Sequence, residues 1–214
     1  CKSLTNITLP KALNTIEKEA FLGCVSLKNI TIPNSVESIG RYAFRDCKNL
    51  KSINIPENII SLGEAVFAMC QNLENVIFPK KLTGLTDLSN SLFYHCTSLT
   101  NITIPNNITK IEDDAFYGCT SLENINLENV KVIGPDVWYA DGTFMGCTSL
   151  KNVNLENAIK INSNAFCRCT SLETVKLDNL EVLRTCAFDS CTSLKSIVAN
   201  KLDTIEAHAF NDCI

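Results

Sequence analysis

The sequence predicts an α/β-type repeat solenoid, with short parallel β-strands on one face and turns or short helical or 3-10 segments on the other. Two observations carry this. Phe21, Phe44, Phe67, Phe93, Phe116, Phe144, Phe166, Phe188 and Phe210, nine of the ten phenylalanines, each stand three residues before a cysteine. Those cysteines, with Cys1 at the head, form a column from Cys1 to Cys213 at spacings of 23, 23, 23, 26, 23, 28, 22, 22 and 22. A fixed period of this length means stacked units that bury a shared core.

Within each unit the offsets from the cysteine define the elements. Leu27, Leu50 and Leu73 exemplify the third position after it, Ile30, Ile53 and Val76 the sixth, and Ile32, Ile55 and Phe78 the eighth. The resulting L-x-x-I-x-I segment alternates and is β-branched, which predicts a short strand. Pro10, Pro33, Pro56, Pro79 and Pro105 follow it in the first five units and end the strand, because proline donates nothing to a ladder. Glu128, Glu156, Asp178 and Asn200 replace proline later, and the period falls to about 22. A further apolar column, Ile16, Ile39, Leu62, Leu85, Ile111, Ile133, Ile161, Leu183 and Ile205, leads to x-x-A-F-x-x-C. That last segment is too short for a free helix and is expected to form a turn or a single helical turn on the opposite side.

A chain of 214 residues with 45% hydrophobic content can bury a core, and the repeat runs from end to end without a linker. A single solenoid of about nine units, residues 1–214, is expected. Both ends fall in mid-repeat, so the expectation is a fragment of a longer array that lacks its caps and stacks end to end with further repeats. The formal charge of −4 gives no footprint for nucleic acid. No apolar run reaches the roughly 18 residues that would insert this segment in a membrane.

The cysteines recur between apolar landmarks, and a column of buried reduced thiols is expected rather than chemistry. Cys167 and Cys186 lie outside the column in adjacent units, as a disulfide or as two incidental thiols. No C-x₂-C or H-x₃-H pair suggests zinc, and His95 and His208 are the only histidines. Phosphate loops and nucleophile motifs are absent. No catalytic, cofactor-binding or metal residues are therefore assigned, and an enzyme is not expected.

If the Ile columns face inward, the fifth and seventh residues after each cysteine face out. The fifth-position column is Asn6, Asn29, Ser52, Asn75, Asn101, Asn124, Asn152, Thr174 and Ser196. Stacked amides satisfy one another along such an array, so this face is expected to be structural. Contact anchors occur instead where the repeat is broken. The longer unit inserts Gly134 to Gly142, with Asp136, Trp138, Tyr139 and Asp141, and Trp138 either meets a partner or folds back over the core. Tyr94 and Tyr117 share one position in adjacent units and join the candidate contact set. A shorter excess, Thr86 to Ser91, is expected to be a bulged loop. Of four N-x-T sequons, three fall on strands, and Asn107 alone is expected in a loop.

The joint recurrence of A-F-x-x-C, S-L and I-x-I-P, as in Ala20-Phe21-Leu22-Gly23-Cys24 through Ile30-Thr31-Ile32-Pro33, resembles the BspA-like (treponemal-type) leucine-rich repeat over essentially the whole chain. The resemblance implies a leucine-rich-repeat right-handed superhelix. It also implies a non-enzymatic adhesion or protein-interaction scaffold on a secreted or cell-surface protein that binds host or neighbouring-cell proteins. The sequence does not identify that protein partner. The alternative is an intracellular (cytoplasmic) structural or scaffolding array with reduced core cysteines. Departures from the pattern are the acidic replacements of proline and the two insertions.

Overall fold

The computed structural model describes residues 1–80, 82, 84–134 and 141–213. Each coil runs from one column cysteine to the residue before the next, and three sides repeat along the array. On the first side lies the L-x-x-I-x-I segment. Here β3 (Ser52–Asn54), β5 (Asn75–Ile77), β7 (Asn101–Ile102) and β9 (Asn124–Ile125) form one parallel sheet. A second sheet on this side comprises β11 (Asn152–Asn154), β13 (Thr174–Lys176) and β15 (Ser196–Val198). The register is strict: Val153 pairs with Val175 and Val175 with Ile197, so like residues stack on like.

A second strand side was not expected. It consists of two-residue strands at the Ile column that precedes A-F: β1 (Thr15–Ile16), β2 (Ser38–Ile39) and β4 (Ser61–Leu62), then β6 (Asp87–Leu88), β8 (Lys110–Ile111), β10 (Val132–Ile133), β12 (Lys160–Ile161), β14 (Val182–Leu183) and β16 (Thr204–Ile205). Leu88, in register with Ile111, holds this column in the 70–95 coil, where Leu85 was expected. The three extra residues of that coil therefore lie before Asp87, and the expected bulge from Thr86 to Ser91 contains a strand. The sheet is interrupted between β4 and β6, where the longer connection breaks the ladder.

The third side, x-x-A-F-x-x-C, contains no helix or 3-10 segment among the described residues, so the array is all-β rather than α/β. The reason lies in the hydrogen bonds. Alternate amides leave the coil altogether: Tyr42, Phe44 and Asp46 donate to the carbonyls of Glu64, Val66 and Ala68 at 3.0, 3.0 and 2.9 Å. The intervening amides of Ala43, Arg45 and Cys47 close four-residue turns onto the carbonyls of Gly40, Tyr42 and Phe44. A helix would need those same donors for its own carbonyls. The alternation is made by left-handed residues at the fifth and first positions before each cysteine, such as Tyr42 and Asp46 (φ 60° each), Ala65 and Met69, Ser91 and His95. Gly118 and Gly146 occupy the second of these positions, where glycine adopts positive φ without steric penalty.

The corner after the first strand explains the change of period. In the proline units the turn starts at the proline, with Val36, Ile59 and Ile108 donating to Pro33, Pro56 and Pro105. In the later units it starts one residue earlier, with Val130, Ala158 and Leu180 donating to Leu127, Leu155 and Leu177. One residue is thereby removed from the coil. Strands β11 and β13 stop at the same place without proline, so the corner itself ends the strand.

Between the sides runs one core. Phe44, Phe67, Phe93, Phe116, Phe144, Phe166 and Phe188 are wholly buried, and all nine column rings stack face to face with centroids 5.0–5.8 Å apart. Offset stacking of this kind adds to the burial of each ring. Beside the rings each thiol, from Cys47 to Cys213, donates to the phenylalanine carbonyl one coil back at 3.1–3.2 Å.

Candidate functional site

The cysteine column is packing. All twelve cysteines are free. Burial pushes the thiols of Cys47, Cys119 and Cys191 up to about 12, which suppresses the nucleophilic thiolate. Cys167 and Cys186 are unlinked as well. Cys167 Sγ faces Asp189 Oδ2 at 3.7 Å, and burial pushes its thiol up to about 11. No group of three or more His, Cys, Asp or Glu side chains is placed to hold a metal among the described residues.

The outward columns of the first strand side are exposed or half-buried as expected, and they satisfy themselves in part. Asn124 Nδ2 donates to Asn101 Oδ1 at 2.9 Å, and Thr174 Oγ1 donates to Asn152 Oδ1 at 2.6 Å. Asn107, expected in a loop, lies in a turn, half-buried, and donates its side-chain amide to the Leu85 carbonyl.

The turn side gathers the aromatic and charged groups that no core position uses. Tyr94 and Tyr117 immediately follow core phenylalanines, and the coil-to-coil register stacks them with centroids 4.9 Å apart and planes 11° from parallel. His95 lies edge-on to both, at 4.6 and 5.3 Å. It fits because Gly118 has no side chain: a Cβ there would stand 2.5 Å from His95 Nδ1. Burial lowers the imidazole pKa, which keeps the ring neutral at pH 7.

Next to the tyrosines stand Asp113, Asp114 and the exposed Asp141, brought together across adjacent coils. Among the described residues, one oxygen each of Asp113 and Asp114 is shielded from solvent without a hydrogen-bond partner, while the Gly142 amide favours the ionised form of both. Burial, then the charges of Asp113 and Asp141, push the Asp114 carboxyl up to about 7. A carboxyl raised above its ordinary 3.8 favours the folded chain in its protonated form. Its contribution is complete below about pH 4 and is lost as the pH rises to about 7. Because Asp114 is half-exposed, solvent screening reduces the loss to about 1–2 kcal/mol. Asp114→Asn keeps the shape and suits the left-handed φ of 54°. It is expected to raise the urea midpoint at pH 8 and leave it unchanged at pH 4; an equal gain at both would exclude this origin.

Sequence reasoning missed Asp113 and Asp114 and, on the same side, Arg41, Tyr42 and Arg45. Tyr42 is covered by Arg41 and Arg45, with guanidinium carbons 4.3 and 5.1 Å from the ring centroid, and Arg41 also pairs with Glu64 at 3.0 Å. The run Arg41-Tyr42-Ala43-Phe44-Arg45 was the available signal. Asp136, Trp138 and Tyr139 of the inserted segment lie outside the described residues.

The chain matches the BspA type Leucine rich repeat region, in six copies over residues 1–89 and 139–214. It belongs to the BspA-type leucine-rich repeat family. Among solved structures, a leucine-rich repeat protein from Bacteroides ovatus is 29% identical, with a TM-score of 0.72 over 100% of this chain and 59% of that one. The pneumococcal vaccine antigen PcpA is 19% identical, with a TM-score of 0.61 over 92% of this chain and 51% of that one, which is a likeness of fold. The BspA-type array thus spans less than two thirds of each of these two relatives. No curated protein matches it. Among the described residues, no helix is long and apolar enough to cross a membrane.

Proposed function

We propose that this BspA-type array is a non-enzymatic scaffold that binds proteins through its turn side, as part of a secreted or cell-surface protein facing host or neighbouring cells. The family supports a repeat scaffold in general. The observation that carries the choice of face is the Tyr94–Tyr117 stack: two half-buried aromatic rings outside the core, beside the carboxylates of Asp113, Asp114 and Asp141. Tyrosine supplies large, stiff contact area, whereas the strand side offers amides already engaged with one another. Asp141 belongs to the same surface, and Asp136, Trp138 and Tyr139 are contact candidates on sequence grounds alone.

A photoreactive benzoylphenylalanine placed in turn at 94, 117 and 138, with 52 and 124 on the strand side as controls, tests this against intact neighbouring cells. Protein adducts from the first three positions and not the controls are expected. Adducts from the controls alone, or from no position, would contradict it. The second reading, an intracellular structural array, draws on the twelve free thiols.

A further inference from the structure

We propose that the groove beside Tyr94 binds an arginine side chain presented by a protein partner, with the guanidinium against the Tyr94 ring and Asp114 and Asp141 as its counter-charges. This rests on the protein-binding function proposed above and names the chemistry that the partner brings. The groove is a cavity of about 320 Å³ on the turn side, walled by Tyr42, Arg45, Met69, Tyr94, Asp114 and Asp141. Its volume is large enough to admit one extended side chain.

Charge bookkeeping sets the sign of the occupant. The resident cations are already matched: Arg41 pairs with Glu64 at 3.0 Å, Arg45 with Asp46 at 3.7 Å and Lys110 with Glu112 at 2.6 Å. Asp113, Asp114 and Asp141 have no ion pair among the described residues. Burial, then Tyr117, then Asp114 and Asp141 raise the pKa of the Tyr94 phenol, with Arg45 opposing them, which places ring and carboxylates within one another's field. A guanidinium seated there would neutralise the Asp114 and Asp141 carboxylates that line the groove.

Tyr42, two coils back and at a different repeat position, shows the cation that a tyrosine on this side accepts. Arg41 and Arg45 lie over its face, whereas no guanidinium or ammonium covers Tyr94 or Tyr117 among the described residues. The guanidinium is flat, stacks on a phenol and binds carboxylate through two donors, which an ammonium cannot do. The Tyr94–Tyr117 stack holds the platform in place, since each ring fixes the rotamer of the other.

The probe is acetyl-Gly-Arg-Gly-amide, titrated into the whole chain and followed by amide chemical shifts, beside its citrulline counterpart, which has the same shape without the charge. The arginine peptide is expected to saturate at millimolar concentration, shifting the Tyr94, Asp114 and Gly118 amides, and the citrulline peptide to bind about tenfold more weakly. Tyr94→Ala and Asp114→Asn should each weaken binding about fivefold, while Tyr94→Phe, which keeps the ring, stays within about twofold. Melting curves of each variant confirm folding, and the half-exposed positions make that outcome the expected one. Equal binding of both peptides, or arginine binding indifferent to Tyr94→Ala, would overturn the proposal. If the peptide fails while crosslinks at position 94 persist, the arginine assignment falls and the scaffold function stands. If crosslinks vanish from every turn-side position, the function itself falls.

Discussion

Phe116→Ala is expected to lower the stability of the array by about 3–5 kcal/mol, the largest effect of any single truncation in the chain. The ring is wholly buried and stacked on both sides, 5.3 Å from Phe93 and 5.1 Å from Phe144. Its removal opens a cavity that neighbouring coils cannot close, because ladders on all three sides fix their spacing. Phe210, 37% exposed and stacked on Phe188 alone, provides the comparison, and its truncation should cost about 1 kcal/mol. Urea unfolding followed by far-ultraviolet circular dichroism measures both. Because each coil stabilises only its neighbours, the central variant should also speed hydrogen exchange at the Phe93, His95 and Phe144 amides before those of the terminal coils. Equal effects for the two variants would mean that the stack is not a continuous structural column.

Gly63→Ala is the second large effect, at about 2–3 kcal/mol or a fall in Tm of roughly 5–10 °C. A Cβ at Gly63 would stand 2.4 Å from the Arg41 amide nitrogen and 2.8 Å from the Gly40 carbonyl carbon. Both are backbone atoms one coil back, so no rotamer change relieves the contact and the coils must separate. Gly63 N–H donates to the Ile39 carbonyl at 2.8 Å, and that bond would stretch first. Ser89 holds the same place one coil later, beyond the break between β4 and β6. There the side chain fits and Ser89 Oγ donates to the Gly63 carbonyl at 2.8 Å. Ser89→Ala should therefore lose about 1 kcal/mol, the value of one hydrogen bond. Calorimetric melting of the two variants separates steric clash from lost bonding.

The parts of the fold visible in the sequence are those specified by side chains. The Phe, Cys, Leu and Ile columns follow from fixed offsets, and they predict both the core and the outward columns, because a strand alternates its faces. The second strand side is specified by backbone pairing over only two residues, such as Thr15–Ile16, and two residues carry no period. For the same reason Leu85 took the place of Leu88: both are apolar, and only the ladder to Ile111 distinguishes them. The left-handed positions before each cysteine leave a trace at Gly23, Gly118 and Gly146, but elsewhere Asp46, Met69 and Arg168 adopt the same φ because the cross-coil ladder imposes it. At the candidate site, the pairing of Tyr94 with Tyr117 was visible as one repeat position used twice. The convergence of Asp113, Asp114 and Asp141 was not, because Asp141 lies within the insertion and so has no counterpart offset in the other units.

The repeated residues, cysteines included, are core and build the scaffold. Thiol labelling with a maleimide, read by peptide mass spectrometry on the native chain, tests it most directly. Cys1, Cys186 and the half-buried Cys213 should label in the folded state, while the nine buried cysteines should label only after unfolding and as free thiols. Native labelling of Cys96 or Cys119 at the rate of Cys1, or a disulfide within the column, would contradict the account.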